Sequence, residues 1–197
     1  MEDSPFHEAI LLSKPSKDER KTRLKTIRFP ESLVRYLEKE AADEGTTVNA
    51  DVNSIISRHF SWDKKIREFG IVEIPNSMLR TLFEGCNDET LARMGRETFA
   101  VQKEMAEFFF HDSSPKAMLD LLTIRSKFNP RNQTRVTQEE DKYAIVMRHD
   151  FGPKYTIFAK DFLEEFVKQS FHVKPRISAG ESVVTARFKV NPPNSPT

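Results

Sequence analysis

Residues 21–60, KTRLKTIRFPESLVRYLEKEAADEGTTVNADVNSIISRHF, hold a short alternating run, an amphipathic helical pattern, a glycine and a second helical pattern. A stretch of that size with one lone strand cannot close a core by itself. In Leu24-Lys25-Thr26-Ile27-Arg28-Phe29 successive side chains point to opposite faces, so a strand there carries Leu24, Thr26 and Arg28 on one face and Lys25, Ile27 and Phe29 on the other. Pro30 has no N–H for a ladder and suits a helix's first turn, so the strand is expected to give way to a helix at that point. The helix, predicted over 31–44, puts Leu33, Tyr36, Leu37 and Ala41 on one stripe and leaves Glu31, Arg35, Glu38, Lys39 and Asp43 outside. Gly45 is the expected left-handed stop. Thr46 or Thr47 then caps a second helix, whose Val48, Val52, Ile55, Ile56 and Phe60 recur at helical spacing. Because one copy leaves apolar faces and backbone groups bare, a second copy is expected to supply the partner strand. The dimer core assigned on that basis is Ile27, Phe29, Leu33, Leu37, Val52, Ile55 and Ile56.

The Ile27-Arg28-Phe29-Pro30 strand end and the Gly45-Thr46-Thr47-Val48-Asn49 turn resemble those of the Arc and MetJ-like ribbon-helix-helix transcription regulators, over about a fifth of the chain. The resemblance implies that two strands pair antiparallel across the dimer and enter the major groove of DNA. The positions it assigns to base reading are Leu24, Thr26 and Arg28. Arg28 is suited to bidentate pairing with guanine and Thr26 to either a polar base edge or a thymine methyl, whereas Leu24 departs from the usual polar choice and offers apolar contact alone. The start of the second helix, Thr47, Val48 and Asn49, resembles the family's phosphate clamp, where free N–H groups favour an anion.

A formal net charge of +1 says nothing about nucleic acid, but the placement of charge does. Between Lys14 and Arg28 the basic residues Lys14, Lys17, Arg20, Lys21, Arg23, Lys25 and Arg28 outnumber Asp18 and Glu19, an excess doubled in a dimer. Lys21, Arg23 and Lys25 are therefore assigned to phosphate contacts. Residues 1–20, with Ser4, Pro5, Ser13, Pro15 and Ser16, read as a disordered arm.

The ribbon-helix-helix, DNA-binding and dimerisation domain is placed at 21–62 and a connector at 63–74; Ser61 to Gly70 is expected to prolong the second helix, and Ile71-Val72-Glu73-Ile74-Pro75 is strand-like. Residues 75–190 are expected to form a separate α+β domain, helices packed on a small, mostly antiparallel sheet, followed by a loose tail over 191–197. Helices are predicted over 77–83, 88–98, 99–110 and 115–128, and a long polar, basic loop over 125–142. Strands follow at 143–148, 173–178 and 184–190, with a turn at Phe151-Gly152-Pro153 and a helix carrying Phe158, Phe162 and Phe166 at i, i+4, i+8. This half bears a faint similarity to small-molecule sensor domains of the haem-NO-binding type, which carries no residue across. The phenylalanine stripe reads as core rather than as a ligand box.

Catalytic and metal signatures are thin. Cys86 is the single cysteine, and the five histidines, of which only His111 and His149 precede an aspartate, lack metal-ligand spacing. No glycine-rich phosphate loop or nucleophile elbow is present, so neither an enzyme nor a cofactor or metal is expected. With no apolar run of membrane length and no secretion pattern at the start, the expected setting is cytoplasmic and nucleoid-associated. The expected function is that of a homodimeric, sequence-specific transcription regulator of the repressor type on double-stranded DNA. Its C-terminal domain would sense a small-molecule effector or assemble tetramers. An antitoxin-like protein that neutralises a partner, a nucleoid or partition protein that coats DNA, and an RNA binder using the basic loop at 125–135 are the alternatives.

Overall fold

Helix α1 (Glu31–Glu44) follows Pro30 and ends at Gly45, whose φ of 66° lies in the left-handed region and whose N–H bonds the carbonyls of Ala41 and Ala42. A side chain there would strain that conformation, which is why glycine stops this helix. Helix α2 (Val48–Arg58) is capped by Thr47, whose hydroxyl accepts from the Ala50 N–H at 3.2 Å. It passes through a π turn (His59–Asp63), spanned by the Arg58–Asp63 pair at 3.2 Å, into α3 (Lys64–Phe69), where Gly70 at φ 88° ends it. The prolongation of the second helix to Gly70 is thus present. The computed structural model describes residues 23–129 and 131–190, and the chain divides into two units between Val72 and Glu73. The expected arm over 1–20 and the tail over 191–197 lie outside the described residues.

Two extended segments of the sequence reading are not strands here. Residues 23–30 carry no strand, since a strand is defined by hydrogen bonds to a neighbour and none of the described residues offers them. Ile71 to Pro75 likewise forms no strand, and its apolar content does not substitute for a ladder.

The second unit begins with α4 (Asn76–Gly85), α5 (Asp88–Phe110) and α6 (Pro115–Phe128). Asn87 caps α5 through Thr90 N–H at 2.8 Å, and no residue interrupts it at 98–99, so the two helices expected there are one. Strands β1 (Asn132–Glu139) and β2 (Lys142–His149) form a hairpin, α7 (Pro153–Phe171) follows, and β3 (Arg176–Ala179) and β4 (Val183–Lys189) form a second hairpin. The sheet order is β1-β2-β4-β3, antiparallel throughout. The architecture is the expected α+β class.

The predicted loop over 125–142 is the largest correction: it contains the end of α6 and the whole of β1. Its inward positions are Asn132, Thr134 and Val136, so the alternation is real but carried by polar side chains, which hides it from a hydrophobic pattern. The hairpin closes with Glu140 at φ 54° and Glu139 paired to Lys142.

The core lies between the sheet and α7, and between α7 and α5. Ile145, Met147, Val184 and Ala186 line the sheet face, Phe162, Leu163, Phe166 and Val167 come from α7, and Leu91, Met105 and Phe109 from α5, all buried. Phe162 and Phe166 are core residues, and Phe158 stacks on Phe162 at 6.4 Å. The α5–α7 approach is set by Gly95: a Cβ there would stand 2.4 Å from the Phe158 carbonyl oxygen and 2.9 Å from the Phe162 nitrogen. Gly95→Ala would gain about 1 kcal/mol of helix propensity but must push two backbones apart, at about 1 to 3 kcal/mol. The expected result is a lower urea midpoint with an unchanged m-value; an unaltered or raised midpoint would show that the helices separate freely.

Candidate nucleic-acid interface and a polar cluster

Arg23, Leu24, Lys25, Thr26 and Arg28 are all exposed, with Leu24 95% so. Lys21 lies outside the described residues. Thr47 and Asn49 are exposed and Val48 is half-buried at the start of α2, where the first N–H groups of a helix have no partner inside it. Asp51, in the same first turn, already answers that partial positive charge from within the protein.

The residues assigned to the dimer core divide in a telling way. Leu37 is buried at 5% exposure and Val52 half-buried, whereas Ile27 (57%), Ile55 (55%) and Ile56 (42%) are open, together with Phe29 and Leu33. Buried apolar side chains described in this unit are Leu37, Ala41 and Ile66, a small core for three helical segments. Scattered exposed leucines are ordinary, but so many β-branched and aromatic residues open on one small unit are an apolar surface without cover.

The second unit holds a polar cluster that the sequence did not reveal. Register places Asn132 of β1 directly beside His149 of β2. Above them Tyr155 of α7 meets the Asn132 amide at 2.6 Å and the His149 ring at 4.6 Å between centroids. Arg125 of α6, assigned to an exposed basic loop, instead points inward and donates to Oε1 of Gln102, a residue of α5 that is 1% exposed, at 2.9 Å. Arg131 of the same expected loop pairs with Asp150 at 2.6 Å, and Arg80 donates to the Asp150 carbonyl. Two arginines of the basic stretch are therefore taken by separate partners, while Lys127 and Arg135 are exposed.

Electrostatically the cluster stands apart. Burial lowers the Arg125 guanidinium below its ordinary range, with Tyr155 opposing; burial raises the Tyr155 phenol, with Arg125 and the Asn132 hydrogen bond opposing. Burial also lowers the His149 imidazole, against the pull of Asp150. Thr156 Oγ1 donates to the Glu181 carbonyl at 2.8 Å and so accepts from His149 Nε2, 3.1 Å away. That fixes the Nε2–H tautomer and leaves Nδ1, buried, with no partner among the described residues. Signals for this cluster were weak because buried polar side chains leave no hydrophobic period; the His149-Asp150 pair was the one visible trace.

Among the described residues no group of three or more His, Cys, Asp or Glu side chains is placed to hold a metal ion, and no helix is long and apolar enough to cross a membrane. No protein-family model, curated protein or solved structure matches this chain.

His149 makes acid sensitivity a measurable property. Its folded pKa lies below the ordinary 6.5, so the unfolded chain takes up this proton first: the stability it contributes is present above about pH 6.5 and lost as pH falls through that value. The urea midpoint should drop between neutral pH and about pH 5, and His149→Gln should flatten that drop. An equal drop in the variant would place the sensitivity elsewhere.

Proposed function

We propose that the chain is a homodimeric, sequence-specific DNA-binding transcription regulator. Residues 24–29 of two copies pair as an antiparallel ribbon in the major groove, and the C-terminal unit senses an effector or assembles dimers into tetramers. The observation that carries this reading is the open apolar set Ile27, Phe29, Leu33, Ile55 and Ile56 in the unit that also bears Lys25, Thr26 and Arg28. A second copy bringing the same surface is self-complementary by symmetry and would give residues 24–29 a hydrogen-bonding neighbour that they lack among the described residues. Within such a ribbon Thr26 and Arg28 share the outward face and Ile27 and Phe29 the inward one. The C-terminal unit, with its own sheet and core, needs no partner to fold, which favours a sensor or assembly role over an antitoxin-like segment that orders on its target.

Dimerisation and DNA reading are separable by mutation. Ile56→Glu places a charge in the expected dimer core, and sedimentation should show monomers where the parent chain is a dimer; two dimers of equal stability would remove Ile56 from the interface. For DNA, binding is compared between the region upstream of the chain's own coding sequence and a scrambled duplex of equal length across a salt series. The log-log slope should steepen by about 0.9 for each phosphate contacted. Arg28→Ala should weaken specific binding by about 1 to 3 kcal/mol and relax preference at one base pair. Equal affinity of variant and parent would end the base-reading role of Arg28, and equal, salt-sensitive binding to both duplexes would point to a coating protein.

A further inference from the structure

Arg125 is a part-buried cation whose neighbours are all neutral. Its one hydrogen bond goes to the amide of Gln102; near it stand the phenol of Tyr155 and, through Tyr155, the amide of Asn132 and the uncharged imidazole of His149. Two nearby carboxylates are engaged elsewhere, Asp120 with Lys116 at 2.9 Å and Asp150 with Arg131 at 2.6 Å. Among the described residues no carboxylate pairs with Arg125. A guanidinium has five N–H donors in a planar fork, and taking it out of water without an anion is costly. One donor is used, and the residue as a whole is half-buried. Two further polar atoms in the cluster, Nδ1 of His149 and Oδ1 of Asn132, are buried without a protein partner. Arg125, Tyr155 and His149, from three different elements, are also among the few described groups whose proton affinity departs clearly from the ordinary value, a concentration typical of binding sites.

We propose that the C-terminal unit binds a small-molecule carboxylate, whose two oxygens pair with the unused donors of Arg125 where α5, α6, β1 and α7 converge around Tyr155. Carboxylate rather than a bare cation or neutral ligand follows from the fork: its spacing matches two coplanar oxygens, and the groups at Arg125 itself, Gln102 and Tyr155, are neutral, the carboxylate beside the cluster, Asp150, being paired with Arg131. The aromatic rings packed about Tyr155, Phe83 at 5.0 Å and Phe151 at 4.8 Å between centroids, keep the local dielectric low and strengthen the pairing. This deepens the sensor role given above to the C-terminal unit and rests on it only for what binding would regulate.

The test is thermal unfolding of the full chain in sodium acetate and sodium benzoate, against sodium chloride and sodium phosphate at matched ionic strength. A saturable rise in the unfolding midpoint with a carboxylate, absent in chloride and phosphate, is expected. Arg125→Met should abolish it. Arg125→Lys, which keeps the charge and loses the fork, should weaken the apparent affinity several-fold, and it serves if Arg125→Met does not fold. Arg131→Gln, which alters an arginine already paired, should keep the response. No saturable rise in the parent chain, an equal rise in chloride or phosphate, or an undiminished rise in Arg125→Lys would overturn the proposal. DNA binding is read in its own experiment: a chain that binds carboxylate and no DNA keeps this site and loses the regulator reading, and the converse result does the opposite.

Discussion

The contact between the backbones of α5 and α7 at Gly95 organises the C-terminal unit. Because residue 95 has no side chain, the Phe158 carbonyl and the Phe162 nitrogen come within the distance a Cβ would occupy. The close approach puts the Phe162 and Phe166 rings into the core rather than into solvent, and it holds α7 while the opposite side of that helix rests on β4. With α7 held, its first turn is directed at the ends of β1 and β2. Tyr155 and Thr156 therefore meet Asn132 and His149, and the polar cluster is a consequence of how closely two helices pass.

The N-terminal unit obeys the opposite logic. Its helices are locally well specified, by Pro30 and Gly45 around α1, by the Thr47 cap on α2 and by Gly70 after α3. Yet local specification does not make a core, and most of the large apolar side chains described in this unit stay open. The described interior of this unit is small, Leu37, Ala41 and Ile66, where the C-terminal unit has a full core of its own. In the proposed dimer, the cost of leaving Ile27, Phe29 and Ile55 in water would supply the driving force for association.

Polar side chains inside the C-terminal unit show how an interior can be used for more than packing. Gln102, Arg125, Asn132, His149 and Tyr155 come from five separate elements, and each would be unremarkable alone. Gln102 and Tyr155 stand at the Arg125 cation, and Asn132 and His149 join the cluster through Tyr155. Such arrangements are expensive in a low dielectric unless each member finds a partner.

Much of the helical architecture was legible in the chain itself, because caps, stops and apolar stripes are local. Gly45, Gly70 and the Phe158-Phe162-Phe166 stripe act through their immediate neighbours, and the α+β class follows from the order of helical and alternating segments. Two kinds of feature were not legible. Strand β1 was hidden because Asn132 and Thr134 occupy inward positions, and the strand status of 24–29 and 71–75 depends on whether a neighbour offers hydrogen bonds, which no local pattern encodes. By itself the sequence determined where helices begin and end and which faces are apolar. Tertiary structure alone decided that Arg125 turns inward and that Asn132 stands beside His149, because both depend on register and helix approach between residues far apart in the chain.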